Sequence, residues 1–197
     1  MGGLRILRPV LLLLVIEFLD EFVYGAREAA WPLIRGKLSL SYAQIGVLLG
    51  LPALVSSIVE PFLGVLGDVW RRRTLILGGG LAFALALLLT ALGQSYLSLL
   101  IAFVLLSPAS GAFVSLSQAS LMDLHPADRE RNMARWSFAG SLGVVLGPVL
   151  LGVSTRFAQG WRAIFLATVV AVALVLAIAR RLPLATPGVG VPDDRPW

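Results

Sequence analysis

The sequence contains no cysteine and a single histidine, His125. The first absence excludes a disulfide framework and any thiolate metal or redox centre. The second argues against a histidine-based metal site, and His125 is read as a loop residue beside Pro126. Charge is scarce as well. Only 14% of the 197 residues are Asp, Glu, Lys or Arg, against about 25% in a typical soluble domain. No phosphate-cradling Walker loop and no Ser/His/Asp set is present, so the chain is not read as an enzyme and no cofactor or metal is expected.

What fills the sequence instead is hydrocarbon: 58% of residues are hydrophobic and the mean hydropathy is +0.89. A single soluble core of this size could not hide so much apolar surface. The expected fold class is an all-α integral membrane protein. Apolar runs predict six transmembrane helices, at about 9–27, 42–67, 74–93, 96–122, 133–155 and 161–179, each near the roughly 20 residues that cross a bilayer. They form one bundle over residues 1–182. Residues 183–197, rich in Pro and Gly, read as a disordered cytoplasmic tail or a truncated linker.

Boundaries come from polar punctuation. The basic start at Arg5 and Arg8 followed by Leu11 to Ile16 has the outline of a signal peptide, but Glu17, Asp20 and Glu21 argue against one. Arg27, Glu28, Pro32, Arg35 and Lys37 suggest a polar connector ending in a helix cap at Ser39 to Ser41. Pro52 and Pro61 are expected kinks in the second span. Ser107-Pro108 is expected to interrupt the fourth, and Asp123 to Arg131 to form a charged loop. Trp31, Tyr96 and Trp161 near one set of helix ends, and Trp70 near the other, fit aromatic belts.

The run from Gly64 to Arg73 places Asp68 and three consecutive arginines between two apolar spans. Central Arg and Asp cost a few kcal/mol each in a bilayer, so the run is a turn at a membrane face. Counting loops, eleven basic residues lie on the side of the termini: Arg5, Arg8, Arg71, Arg72, Arg73, Arg129, Arg131, Arg135, Arg180, Arg181 and Arg195. Five lie opposite: Arg27, Arg35, Lys37, Arg156 and Arg162. The bias predicts a multi-pass protein of the cytoplasmic (inner) membrane with both termini cytoplasmic. The net charge of +5 is thus spread over loops and does not point to nucleic acid.

Within the spans, acids are the candidates for function. Glu17, Asp20, Glu21 and Tyr24 fall on one stripe of the first helix, with Glu28 beyond. Counted from Pro9, the three acids lie roughly 12 to 18 Å into a core of about 30 Å. Three carboxylates there cannot all stay ionised cheaply, and intramembrane acids mark ion or substrate pathways. Glu60 is a weaker candidate on the second helix. At the turn, Arg72 or Arg73 can reach Asp68, with Asp123 a second partner. These charges are either a latch between helix ends or anchors at headgroup level. Gly143 and Gly147 form a small-xxx-small pair that permits close backbone approach, and Pro148 frees a carbonyl. Gly46 and Gly50 offer a similar face.

Three of these stretches resemble the major facilitator superfamily of transporters. Gly64, Leu66, Gly67, Asp68, Arg72 and Arg73 resemble its turn signature between the second and third helices. Gly143, Gly147, Pro148 and Gly152 resemble the fifth-helix signature of its antiporter branches, and Gly160, Trp161, Arg162 and Phe165 the start of its sixth helix. The chain departs from the pattern at Val69, where the family has Arg, and at Arg71, where it has Gly. Ser107, followed by Gly111, stands where many proton-driven members carry an arginine.

The resemblance implies the N-terminal six-helix half of a transporter, with the second and fifth helices at a seam. It also implies a function: secondary active efflux of a small-molecule substrate in exchange for protons or another cation. The partner across the seam is then a second six-helix half or, in a homodimer, a second copy, with Gly46, Gly50, Gly143 and Gly147 meeting there. The alternative is a non-transporting fragment or a structural or regulatory subunit packing on another membrane protein.

Overall fold

In the computed structural model the backbone is described for residues 2–124, 126–156 and 160–182, and side chains from residue 8 onward except at 125–126, 157–159 and 183–197. The side chain of Arg5, His125 and the tail therefore lie outside the described residues.

Six long helices account for nearly all of the described chain. They are α1 (Gly2–Leu38), α2 (Tyr42–Val69), α3 (Arg72–Leu92), α4 (Tyr96–Leu124), α5 (Arg129–Ser154) and α6 (Trp161–Ala179). Five of them, α2 to α6, are long and apolar enough to cross a membrane, against the six expected. The exception is α1, whose apolar run is broken by Glu17, Asp20 and Glu21.

The expected polar connector after residue 27 is not a connector. Arg27, Glu28, Pro32, Arg35 and Lys37 all lie within α1, which is 37 residues long and about 55 Å from end to end. It stops only at Ser39, whose φ of 51° puts a side-chain-bearing residue in the left-handed region usually left to glycine. The Leu40 N–H then reaches back to the Arg35 carbonyl at 3.1 Å, the six-to-one bond of a Schellman ending. Arg35 Nε in turn donates to the Leu40 carbonyl. The next helix starts on a capping box: Ser41 Oγ accepts from Gln44 N–H while the Gln44 side chain accepts from Ser41 N–H, satisfying two of the donors every helix start leaves open.

Two further boundaries differ from expectation. Ser107-Pro108 does not interrupt α4; the helix runs through it and widens into a π-helical segment at Gly111–Ser115. The Gly111 N–H is shared between the carbonyls of Pro108 and Ser107, a mixed bond where the helix changes pitch. The charged loop is also shorter, because Arg129 already opens α5.

Packing follows from the apolar faces. α1 lies along α5 and also contacts α6; α3 sits between α4 and α6; α2 leans on α4. Phe83, Phe103, Phe113 and Phe165 are fully buried, and Phe83 meets Phe113 at a ring separation of 5.9 Å. The Trp31 ring packs edge-on against Phe103, and Trp161 is buried against Phe165. Trp70 is exposed.

Helices α3 and α6 are tied at both ends by arginines. Arg162, at the start of α6, donates to the carbonyls of Ala91 and Gly93 at the end of α3, at 2.9 and 2.7 Å. Arg73, at the start of α3, donates to the carbonyls of Ala179 and Arg180 at the end of α6. In each case a cation meets the negative end of a neighbouring helix.

Candidate functional site

Between α1, α2, α3 and α4 lies a cavity of about 220 Å³ with two carboxylates in its wall, Asp20 and Glu60. Its polar lining is completed by Tyr24, Arg27, Ser56 and the pair Ser107 and Ser110. Asp20 is anchored: Ser110 Oγ donates to Asp20 Oδ1 at 2.7 Å. Glu60 lies across Gly111, where an added Cβ would come within 2.8 Å of Glu60 Cγ. Gly111 thus lets the carboxylate side chain fold flat against α4. Ser56 Oγ is buried without a hydrogen-bond partner, so it is a group open to a ligand. The positive charge comes from Arg27, which is bound to Glu28 Oε1 at 3.1 Å and stacks over the rings of Tyr24 and Phe103.

The stripe of acids on α1 is divided by the bundle. Asp20 turns to the cavity, whereas Glu17 and Glu21 turn to α5. A Cβ at Gly140 would sit 2.7 Å from Glu17 Oε1 and 3.3 Å from Glu21 Cγ, and Glu17 is buried in that interface. The stripe spans roughly 100° of helix, enough to straddle two neighbours. Tyr24 stays half-exposed at the cavity rim. Ser56, Ser107 and Ser110 were not singled out as site residues. The available signal was hydroxyls at positions 107 and 110, one turn apart in an apolar helix, but the adjacent proline made that stretch read as a break.

At the α2–α3 turn a second constellation forms. Arg72 is buried and donates to Asp68 Oδ1 at 3.0 Å, to Asp123 Oδ2 at 2.6 Å and to the Gly67 carbonyl at 3.3 Å. It joins the ends of α2, α3 and α4. Gly67 packs under the Leu116 side chain of α4, which a Cβ there would have to displace. Arg73 does not join this set, because its guanidinium is spent on α6. Gly64 has nothing within 4 Å of its Cβ position and takes no part in these contacts.

Gly143 and Gly147 of α5 face inward. A Cβ on Gly143 would lie 2.8 Å from the Phe22 N, and one on Gly147 would lie 2.7 Å from the Ala26 N. Pro148 packs against Gly25 of α1, its Cδ 3.1 Å from where a Cβ would be. Gly143 and Gly147 therefore join α5 to α1 of the same chain. Their expected place at a seam with a second half or a second copy is corrected accordingly. Among the described residues, Gly46, Gly50 and Gly152 have nothing within 4 Å of a Cβ position and remain open.

A family model described as Major Facilitator Superfamily matches residues 10–195. The chain belongs to this superfamily. It is 33% identical over 172 residues to a maltose permease of Geobacillus stearothermophilus, an alignment covering 84% of this chain and 42% of the relative. It is 28% identical over 184 residues to a class H tetracycline resistance protein of Pasteurella multocida, covering 89% and 40%. A multidrug export protein of Escherichia coli K12 matches at 26% over 182 residues, covering 91% and 35%. The chain thus spans less than half the length of these curated relatives. Its fold is similar to part of a bacterial homologue of the human lysosomal transporter Spinster, with a TM-score of 0.82 at 19% identity over 100% of this chain and 47% of that one. The chain is accordingly a multi-pass membrane protein of a transporter superfamily that includes efflux proteins.

Proposed function

We propose that this chain forms one half of a secondary active transporter in the cytoplasmic membrane, exporting a small solute in exchange for protons or another cation. In this reading α1 is the sixth span, polar because it lines the pathway, and both termini are cytoplasmic. A second six-helix half, or a second copy of the chain, supplies the facing wall. The open Gly46 and Gly50 and the exposed apolar side chains of α2, among them Leu54, Ile58 and Phe62, favour α2 as part of that contact.

The observation that carries the reading is the cavity that brings Asp20 and Glu60 together beside Arg27, Ser56 and Ser110. A carboxylate at mid-membrane is expensive unless it binds or exchanges a cation. Here one is anchored by a hydroxyl and opens onto a space large enough for water or a small group. The outward direction draws on the resistance and export proteins among the relatives. Arg72, joining three helix ends through Asp68 and Asp123, suits a latch that releases when those ends part.

The test is flux into proteoliposomes containing the assembled transporter, with and without an imposed proton gradient. The expected outcome is gradient-driven flux that Asp20→Asn abolishes and Glu60→Gln reduces, with unchanged membrane insertion. Full gradient-driven flux in the double variant would end the coupling role of the cavity. No flux by the unaltered assembly under any imposed gradient would favour the other reading, a non-transporting subunit that packs on another membrane protein.

A further inference from the structure

Away from the cavity, α1 and α6 leave a groove of about 710 Å³ between them. Its walls are aliphatic: Leu11, Leu12 and Val15 on α1 face Leu174, Ala177 and Ile178 on α6. Two arginines, Arg8 and Arg181, line the same groove. Val15 lies about two turns beyond Arg8, and Leu174 about two turns before Arg181, so both walls run roughly 10 Å away from the charges. Among the described residues no acid lines the groove.

Among the described residues, these two arginines differ from the seven whose side chains have partners. Arg27, Arg72, Arg129 and Arg131 are paired with carboxylates, and Arg35, Arg73 and Arg162 bond to carbonyls. Among the described residues, neither Arg8 nor Arg181 is in an ion pair. Two guanidinium groups at the mouth of an apolar slot match a molecule with an anionic head and a hydrocarbon tail. The planar fork of Arg suits a phosphate diester. The slot extends over most of one leaflet, which is about half of a 30 Å core. Free phosphate would use the charges and leave the walls empty. An apolar protein helix would cover the walls and leave two like charges unanswered. Basic pockets between membrane helices are suited to anionic lipid headgroups.

We propose that the α1–α6 groove binds one anionic phospholipid, its phosphate held by Arg8 and Arg181 and an acyl chain lying along Leu12, Val15, Leu174 and Ile178. The site is independent of the transport reading, since it uses neither Asp20 nor Glu60.

The experiment takes the full chain in detergent, adds phosphatidylglycerol or phosphatidylcholine with identical acyl chains, and counts retained lipid by native mass spectrometry. The expected result is one phosphatidylglycerol retained at least tenfold better than phosphatidylcholine, undisturbed by millimolar inorganic phosphate. The double variant Arg8→Gln/Arg181→Gln removes the preference. Ala177→Phe, which fills the slot and keeps both charges, lowers retention of both lipids. Arg156→Gln, altering an exposed arginine at the other end of the bundle, changes nothing. Equal retention of the two lipids by the unaltered chain, an undiminished preference in the double variant, or a matching loss in Arg156→Gln would overturn the proposal. So would a photoreactive benzophenone amino acid in place of Ala177 that captures a second copy or another protein in membranes and no lipid.

Discussion

Three consecutive arginines at one turn do three different things, and their neighbours decide which. Arg71 is exposed, Arg72 is buried among two carboxylates and a carbonyl, and Arg73 closes the end of α6. Removing Arg72 leaves Asp68 and Asp123 without their shared partner, but both carboxylates keep contact with water. Arg72→Ala is therefore expected to cost about 1–2 kcal/mol, well short of a fully buried pair. Arg72→Lys should recover only part of this, because an ammonium lacks the fork that reaches both acids, and Arg71→Ala should be neutral. Thermal unfolding in detergent checks the order; an Arg71 effect equal to that of Arg72 would refute it. A similar contrast applies on α1. Asp20→Asn keeps an acceptor for Ser110 Oγ and should leave the melting temperature within a degree or two while removing coupled flux. Glu17 faces Gly140 in the α1–α5 interface, so Glu17→Lys, which places a longer cation there, should lower stability instead.

Among the elements, the α1–α5 pair is the one most sensitive to volume. Its backbones approach so closely that Gly143 and Gly147 have no room for a side chain. Gly147→Leu must push apart two helices rather than displace a flexible side chain, and overpacking of this kind costs about 1–3 kcal/mol or more. It should reduce the monodisperse yield and lower the melting temperature of the chain on its own. Gly46→Leu and Gly50→Leu, where nothing lies within 4 Å, should leave both unchanged while weakening any assembly through α2. Size-exclusion chromatography with unfolding curves separates the outcomes; a normal melt for Gly147→Leu would contradict the packing described. In α4 the π-helical segment Gly111–Ser115 follows directly on Ser107, Pro108 and Ser110, the same stretch that lines the cavity and anchors Asp20.

For the whole molecule, orientation is the first thing to measure. The absence of native thiols makes single-cysteine labelling direct. Arg71→Cys is expected to be shielded from an impermeant reagent added outside intact cells, and Thr155→Cys, exposed after the end of α5, to react. The reverse pattern would invert the topology. The reciprocal ties of Arg73 and Arg162 should hold α3 and α6 together as one unit. Replacing both by Ala is expected to lower stability by more than either change alone, since each leaves carbonyls at a helix end without a donor.

Much of the architecture was legible because a bilayer leaves few choices. Hydrocarbon demands helices of about 20 apolar residues, so α2 to α6 were readable from apolar length and polar punctuation; the run from Gly64 to Arg73 marked their boundary, although the turn itself is only Trp70 and Arg71 and the rest of the run is helical. Short-range chemistry was readable too: Ser41 with Gln44 three residues later is a capping box wherever it occurs. The long continuation of α1 was not legible, because Arg27, Glu28, Pro32 and Lys37 look alike in an exposed helix and in a connector. Which partner each polar group meets was decided only by the tertiary structure. On sequence alone Asp68 is within reach of either Arg72 or Arg73, and Glu17, Asp20 and Glu21 share one stripe. Only the packing of α6 draws Arg73 away, and only the positions of α4 and α5 on either side of α1 divide the acids. Helical periodicity determines the angle at which a side chain leaves its own helix; what stands opposite depends on segments distant in sequence, and for Gly143 and Gly147 that proved to be α1 rather than another subunit.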